Sequence, residues 1–155
     1  MNSTVLGKGH EITGRRGIRF KARGASLGIT AASTGELISQ VERGFSFKSL
    51  RKLESHSGMP VSLIASIIGI PERTLARRKT AGKLTSEESE RLLRISSVFE
   101  KAVELFEGDV AAAVKWLTTS QKALGHNPPW AYARTELGAR EVENLIGRLE
   151  HGVFS

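Results

Sequence analysis

Val61-Ser-Leu-Ile-Ala-Ser-Ile-Ile-Gly-Ile-Pro-Glu-Arg-Thr-Leu-Ala-Arg-Arg-Lys79 is the stretch on which the reading of this chain turns. A helix–turn–helix needs two helices crossing steeply over a tight turn. The crossing point needs a small residue, and Ala65 stands there. The turn needs a positive φ, and Gly69 adopts one at least strain. The second helix needs an inward apolar anchor, and Leu75 is placed to supply it. Ile64, Ile68 and Ile70 fill the space between. The outward residues are then Glu72, Arg73, Thr74, Arg77 and Arg78, with Lys79 and Lys83 at the end. An α-helix fits the DNA major groove, where arginine pairs bidentately with guanine. Arginine and lysine also bind phosphate, which supplies affinity without sequence information. The same residues would otherwise be a solvated basic helix in a small bundle. A DNA-reading helix–turn–helix implies a homodimer on two half-sites.

The rest of the chain is punctuated as helices. Ser33-Thr-Gly-Glu36 fits a capping box, and the helix after it carries Leu37, Ile38 and Val41 to Gly44. A second helix, about Phe47–Ser57, places Phe47, Leu50 and Leu53 on one face and ends at Gly58. Pro60 and Pro71 open the two helices of the motif. Thr85-Ser-Glu-Glu88 is another capping box, followed by a long stripe of Leu92, Ile95, Phe99, Ala102 and Phe106 over about Ser86–Glu107. Asp109 caps a short helix with Val110, Val114 and Leu117, and Trp116 on it reads as core. Pro129 starts a turn of helix through Arg134, and a last helix runs over about Ala139–His151. Gly147 within that helix is unfavourable by about 1 kcal/mol against alanine, which implies a close neighbour. No strand pattern or repeat competes, so the fold class is all-α.

Charge divides the chain into three parts. Residues 1–30 carry +5 and five of the sixteen glycines before Gly28, and read as a flexible basic arm. Residues 31–83, the helix–turn–helix region, carry a further +5, whereas residues 84–155 carry −3. Only the front of the chain attracts polyanions, so two surfaces for two partners are expected.

The absence of cysteine excludes disulfide scaffolds, thiolate zinc sites and cysteine nucleophiles. No P-loop, His-Glu-x-x-His or nucleophile elbow is present. His10, His56, His126 and His151 lack a ligand pattern, and the acidic pairs Glu87–Glu88 and Glu141–Glu143 suit helix N-termini. No enzyme, metal site or cofactor is expected. The longest apolar run, Val61–Ile70, is far short of the roughly 20 residues that span a membrane. The start shows no apolar leader segment, and a cytoplasmic location is expected.

Arg73-Thr-Leu-Ala-Arg-Arg-Lys79 followed by Gly82-Lys-Leu-Thr-Ser-Glu-Glu-Ser-Glu-Arg91 resembles the Xre/MbcA/ParS antitoxin family. The resemblance continues in order through Ala112–Leu117, Ala123-Leu-Gly125, Pro128-Pro129, Thr135–Ala139, Val142–Ile146 and Arg148–Gly152. It implies an Xre-like helix–turn–helix bundle followed by a small helical toxin-binding domain. It further implies a RES-domain toxin as partner, which consumes NAD⁺ and whose active-site cleft the antitoxin covers. Operator DNA of its own promoter is the second implied partner. His126 stands where the family often has a second glycine, and Trp130 follows Pro129 where an aliphatic residue is usual.

The residues for toxin contact are Trp130, Tyr132 and Arg134 in the proline-led loop, then Glu136, Arg140, Glu143, Asn144 and Arg148 off the apolar stripe of the last helix, and Phe154 at the end. Exposed aromatics act as anchors. Trp130 can equally plug its own subdomain, and the charged face can simply be wet. The competing function is a stand-alone repressor whose C-terminal half dimerises or senses a ligand; a third is an interaction protein that no longer reads DNA.

Overall fold

The computed structural model describes residues 17–152. The expectations for residues 1–16 and for Phe154 lie outside the described residues. Among those described, the chain forms α1 (Thr34–Arg43), α2 (Lys48–Ser57), α3 (Val61–Ile67), α4 (Glu72–Ala81), α5 (Ser86–Leu105), α6 (Val110–Leu117), α7 (Pro129–Tyr132) and α8 (Glu136–Glu150). Two 3-10 turns, Ala25–Leu27 and Lys122–Leu124, complete the order. No strand occurs among the described residues; Ser46 with Lys83 and Gln121 with Asn127 form isolated bridges. The chain is all-α, as the sequence implied.

Local chemistry explains the boundaries. The Ser33 side chain accepts the Glu36 N–H at 3.1 Å and so starts α1. The Glu36 carboxylate reaches Ala32 N–H at 2.7 Å instead of closing a box on Ser33. Thr85 makes the complete box: its hydroxyl accepts Glu88 N–H at 3.1 Å, and Glu88 accepts Thr85 N–H at 2.9 Å. Asp109 accepts Ala112 N–H at 3.0 Å and starts α6. Thr135 accepts Gly138 N–H at 3.0 Å, so α8 begins at Glu136, a turn earlier than the apolar stripe alone implied.

α5 is the spine. It packs on α1, α6, α7, α8 and the first 3-10 turn, so it belongs to both halves of the chain. Leu92, Ile95, Val98, Phe99 and Ala102 are fully buried along it. Against it lie Leu50 and Leu53 from α2, Ile64 from α3, Leu117 from α6 and Ile146 from α8. One core therefore joins the two halves, and removing apolar area of this order from water is the main stabilising term.

Residues 17–30, read from sequence as part of a flexible arm, lie on this core instead. Gly17 and Gly108 press together main chain to main chain, where any Cβ would collide. Ile18 N–H donates to Gly108 O at 3.2 Å. The Phe20 ring meets His56 edge-on at 5.2 Å and Phe99 at 5.6 Å. Leu27 is buried, and the Ser26 N–H and hydroxyl both donate to Glu100 Oε2, at 2.9 and 2.6 Å. The glycines and cations suggested solvation; the sparse apolar residues among them, Phe20 and Leu27, dock the segment.

Candidate functional site

The first site is built on α3 and α4. Ala65 is buried at their crossing, and Gly69 has φ +80° at the turn. A Cβ at Gly69 would meet nothing within 4 Å, so the left-handed backbone, not space, requires glycine there. Ile70 N–H closes the turn on Ala65 O at 2.8 Å. Ile64, Ile68 and Ile70 are buried, and Leu75 is partly buried against the core.

No residue of α4 is fully buried. Glu72, Arg73, Arg77 and Lys79 are exposed along it, Thr74 is half-buried, and Lys83 is exposed just beyond Gly82. Arg73 and Arg77 sit one turn apart, so their exposed side chains share one side of the helix. Arg78 is partly engaged within the protein. Its Nε donates to Glu88 Oε1 at 2.8 Å, which ties α4 to the start of α5. Burial alone would push the Glu88 carboxyl up, but the Arg78 guanidinium and the Thr85 N–H together hold it below its ordinary range. The hydrogen bond to Glu88 in turn raises Arg78. The Nε of Arg78 is thus a tie within the protein. Arg91, which the sequence reading did not single out, donates from Nε to Ile68 O at 2.7 Å and locks the turn of the motif onto α5. No spacing signal marks it, because its partner is distant in sequence.

The second site lies around α7 and α8. Tyr132, Arg134, Arg140 and Asn144 line one open groove of about 840 Å³, together with Asn127 and Leu137. Leu137 is 77% exposed, the barest of the large apolar side chains described. Sequence reasoning missed it by starting the last helix too late; Thr135 as a cap was the available signal. Arg148 is exposed one turn past Asn144.

Trp130 is a correction to the expected contact set. It is 1% exposed, its ring stacks on Phe99 at 5.9 Å, and its Nε1–H donates to Ile95 O at 3.2 Å. A large ring with a satisfied N–H is a core plug. Glu136 and Glu143 also turn partly inward, toward α5: Arg94 lies 3.6 Å from Glu136, and Lys101 lies 3.8 Å from Glu143. Arg140 pairs with Glu136 at 3.0 Å. The close neighbour expected at Gly147 is absent among the described residues, where a Cβ would meet nothing within 4 Å. The tight approach is at Gly138, where a Cβ would run into the Tyr132 carbonyl. His126 has φ +65°, a left-handed backbone that favours glycine.

Among the described residues no group of three or more His, Cys, Asp or Glu side chains could hold a metal ion. No helix there is long and apolar enough to cross a membrane.

A two-helix motif closed by a tight glycine turn, with a bare cationic helix, joined through one long helix to a second helical module with an open face, defines the class of helix–turn–helix proteins that carry a further helical module. Residues 36–97 match the family described as Antitoxin Xre-like helix-turn-helix domain. Residues 101–152 match the Antitoxin Xre/MbcA/ParS C-terminal toxin-binding domain. A protein named Antitoxin Xre from Yersinia enterocolitica is 42% identical over 138 residues, covering 88% of this chain and 93% of that one. Another of that name, from Photorhabdus laumondii subsp. laumondii, is 35% identical over 131 residues, covering 84% and 88%. The chain belongs to the Xre antitoxin family, with a helix–turn–helix and a toxin-binding domain.

Proposed function

We propose that this chain is the antitoxin of a type II pair, which blocks the active site of a RES-domain, NAD⁺-degrading toxin and represses its own operon. The observation that carries the reading is the pair of open surfaces on opposite modules: α4 with Arg73 and Arg77 exposed, and the α7–α8 groove with Leu137 exposed. On the first surface, Arg73 and Arg77 read base edges, and Glu72, Thr74, Lys79 and Lys83 position the helix on operator DNA. A homodimer presents two such helices to two half-sites. On the second, Leu137 and Tyr132 supply an apolar anchor ringed by Arg134, Arg140, Glu141 and Asn144, with Arg148 exposed one turn further along α8. That rim carries both signs of charge, so it can hydrogen-bond within a polar cleft. Occlusion of the cleft needs no chemistry from this chain, which acts as a binding protein in the cytoplasm.

The test is co-expression with a RES-domain toxin, the product of the adjacent gene being the first candidate, reading complex formation and NAD⁺ level together. Wild type should co-purify with the toxin and preserve NAD⁺. Leu137→Asp with Tyr132→Ala should release the toxin and let NAD⁺ fall, while promoter binding persists. Continued protection by that variant would reject the groove as the toxin contact. Failure of the wild type to form any complex would reject the antitoxin reading itself.

A further inference from the structure

Helix α2 carries Lys48, Arg51 and Lys52, all exposed, in its first turns. Lys48 and Lys52 open into a groove with Gln40 and Arg43 whose lining contains no acidic residue. Main-chain pairing brings the end of α4 to this place: Phe47 N–H donates to Gly82 O, and Leu84 N–H to Phe45 O, both at 2.9 Å. Ser46 and Lys83 are thereby bridged, and the Lys83 stem runs over Gly44, with Cε 3.2 Å from where a Cβ would stand. On the other flank Arg51, its guanidinium 5.5 Å from the Phe47 ring, shares a groove with Lys79 of α4. The acids nearest that flank are Glu54 and Glu72; Glu54 is occupied by Val61 N–H at 3.2 Å. Glu42 is the exposed acid beside Arg43. Among the described residues none of Arg43, Lys48, Arg51, Lys52 or Lys83 is in an ion pair.

We propose that this ridge on α2, continued by Arg43 and Lys83, is a track for the DNA phosphate backbone flanking the groove that α4 enters. It rests on the DNA-binding reading above and extends it to residues outside the helix–turn–helix. Cations held beside cations repel, and a polyanion is the partner that relieves this. Continuity with α4 on both flanks selects DNA over an acidic protein, because one duplex seated on α4 passes the ridge. The contacts are sequence-blind: they set affinity, register and salt dependence, while Arg73 and Arg77 set discrimination.

The experiment is a salt series of equilibrium binding to two labelled duplexes of equal length, the DNA upstream of the gene and a scrambled control. Wild type is compared with Lys48→Gln/Lys52→Gln, Arg73→Gln/Arg77→Gln and, as a charge-matched control, Lys115→Gln/Lys122→Gln. Circular dichroism melting confirms that each folds. The α2 pair should weaken both duplexes alike, by about tenfold, and flatten the slope of log K against log salt by about 2, at roughly 0.9 per phosphate contact. The α4 pair should instead narrow the ratio between the duplexes. If the α2 pair behaves like the charge-matched control, the track is overturned while DNA binding through α4 stands. If the α2 pair binds DNA normally and, in the co-expression assay above, no longer co-purifies with the toxin, the ridge is a protein surface and the proposal is overturned. If wild type binds neither duplex, the DNA reading falls and takes the track with it.

Discussion

The two helices proposed to meet partners, α4 and α8, are mounted in opposite ways. α4 buries no residue outright and is held by half-buried Leu75, by the Arg78–Glu88 tie and by main-chain pairing at Gly82 and Leu84. α8 buries Gly138, Ala139, Val142, Leu145 and Ile146 against the spine and keeps its charged residues on the rim. A helix that must enter a nucleic-acid groove has to stand clear of its own protein on most sides. A helix that must present one face to a partner can be anchored over the other. Polar ties therefore govern the first, and apolar packing governs the second.

The largest effect that tests this contrast is in the rear core. Trp130→Ala should destabilise the chain by about 3–5 kcal/mol, measured by denaturant unfolding, and toxin capture should fail with it. Trp130→Phe should retain capture; loss of capture at intact stability would make Trp130 a contact after all. Next comes Glu88→Ala, which removes the capping box and frees Arg78. It should lower stability by about 1–3 kcal/mol and weaken operator binding, with toxin capture kept.

Acidity separates two carboxylates of α5. Glu88 is held below its ordinary range, so its contribution to stability is present above the unfolded value and lost as pH falls through the folded one. Unfolding free energy measured in acid should therefore drop less for Glu88→Gln than for wild type. Glu100 is raised, by burial first and against the Ser26 hydrogen bonds and Arg23. Its sign is opposite: stability is fullest below the unfolded value and declines as pH rises through the folded one. Glu100→Gln should gain on wild type between acid and neutral pH. The smallest effect is expected of Glu136→Ala with Arg140→Ala. These side chains are 66% and 68% exposed, so stability should shift by about 0.5 kcal/mol or less. A change in toxin capture in that variant would measure their contact role almost free of folding effects.

The sites were legible to different depths. Ala65, Gly69 and the isoleucines sit where the motif needs them, because a sharp turn is specified by neighbours within a few residues. The exposure of Arg73 and Arg77 followed from the same register. Arg78 occupies the same helix surface by spacing, yet Glu88, ten residues on, engages it. Trp130 shows the same limit more strongly. A proline-led loop is read as exposed, and only the α5 carbonyl at Ile95 and the Phe99 ring, dozens of residues earlier, make it interior. Leu137 was hidden by an error of one helical turn, since helix starts depend on a cap hydrogen bond that an apolar stripe does not report.

By itself the sequence determined most helix boundaries, the helix–turn–helix, and the split between a cationic front and an acidic rear. Those are matters of caps, left-handed glycines, periodicity and counted charge, all decided over short distances along the chain. Only tertiary structure decided which charges are free and which are tied, that residues 17–30 dock on the core, and which face of α8 is open. Each of these depends on what another segment places within a few ångströms, and a linear pattern carries no record of that distance.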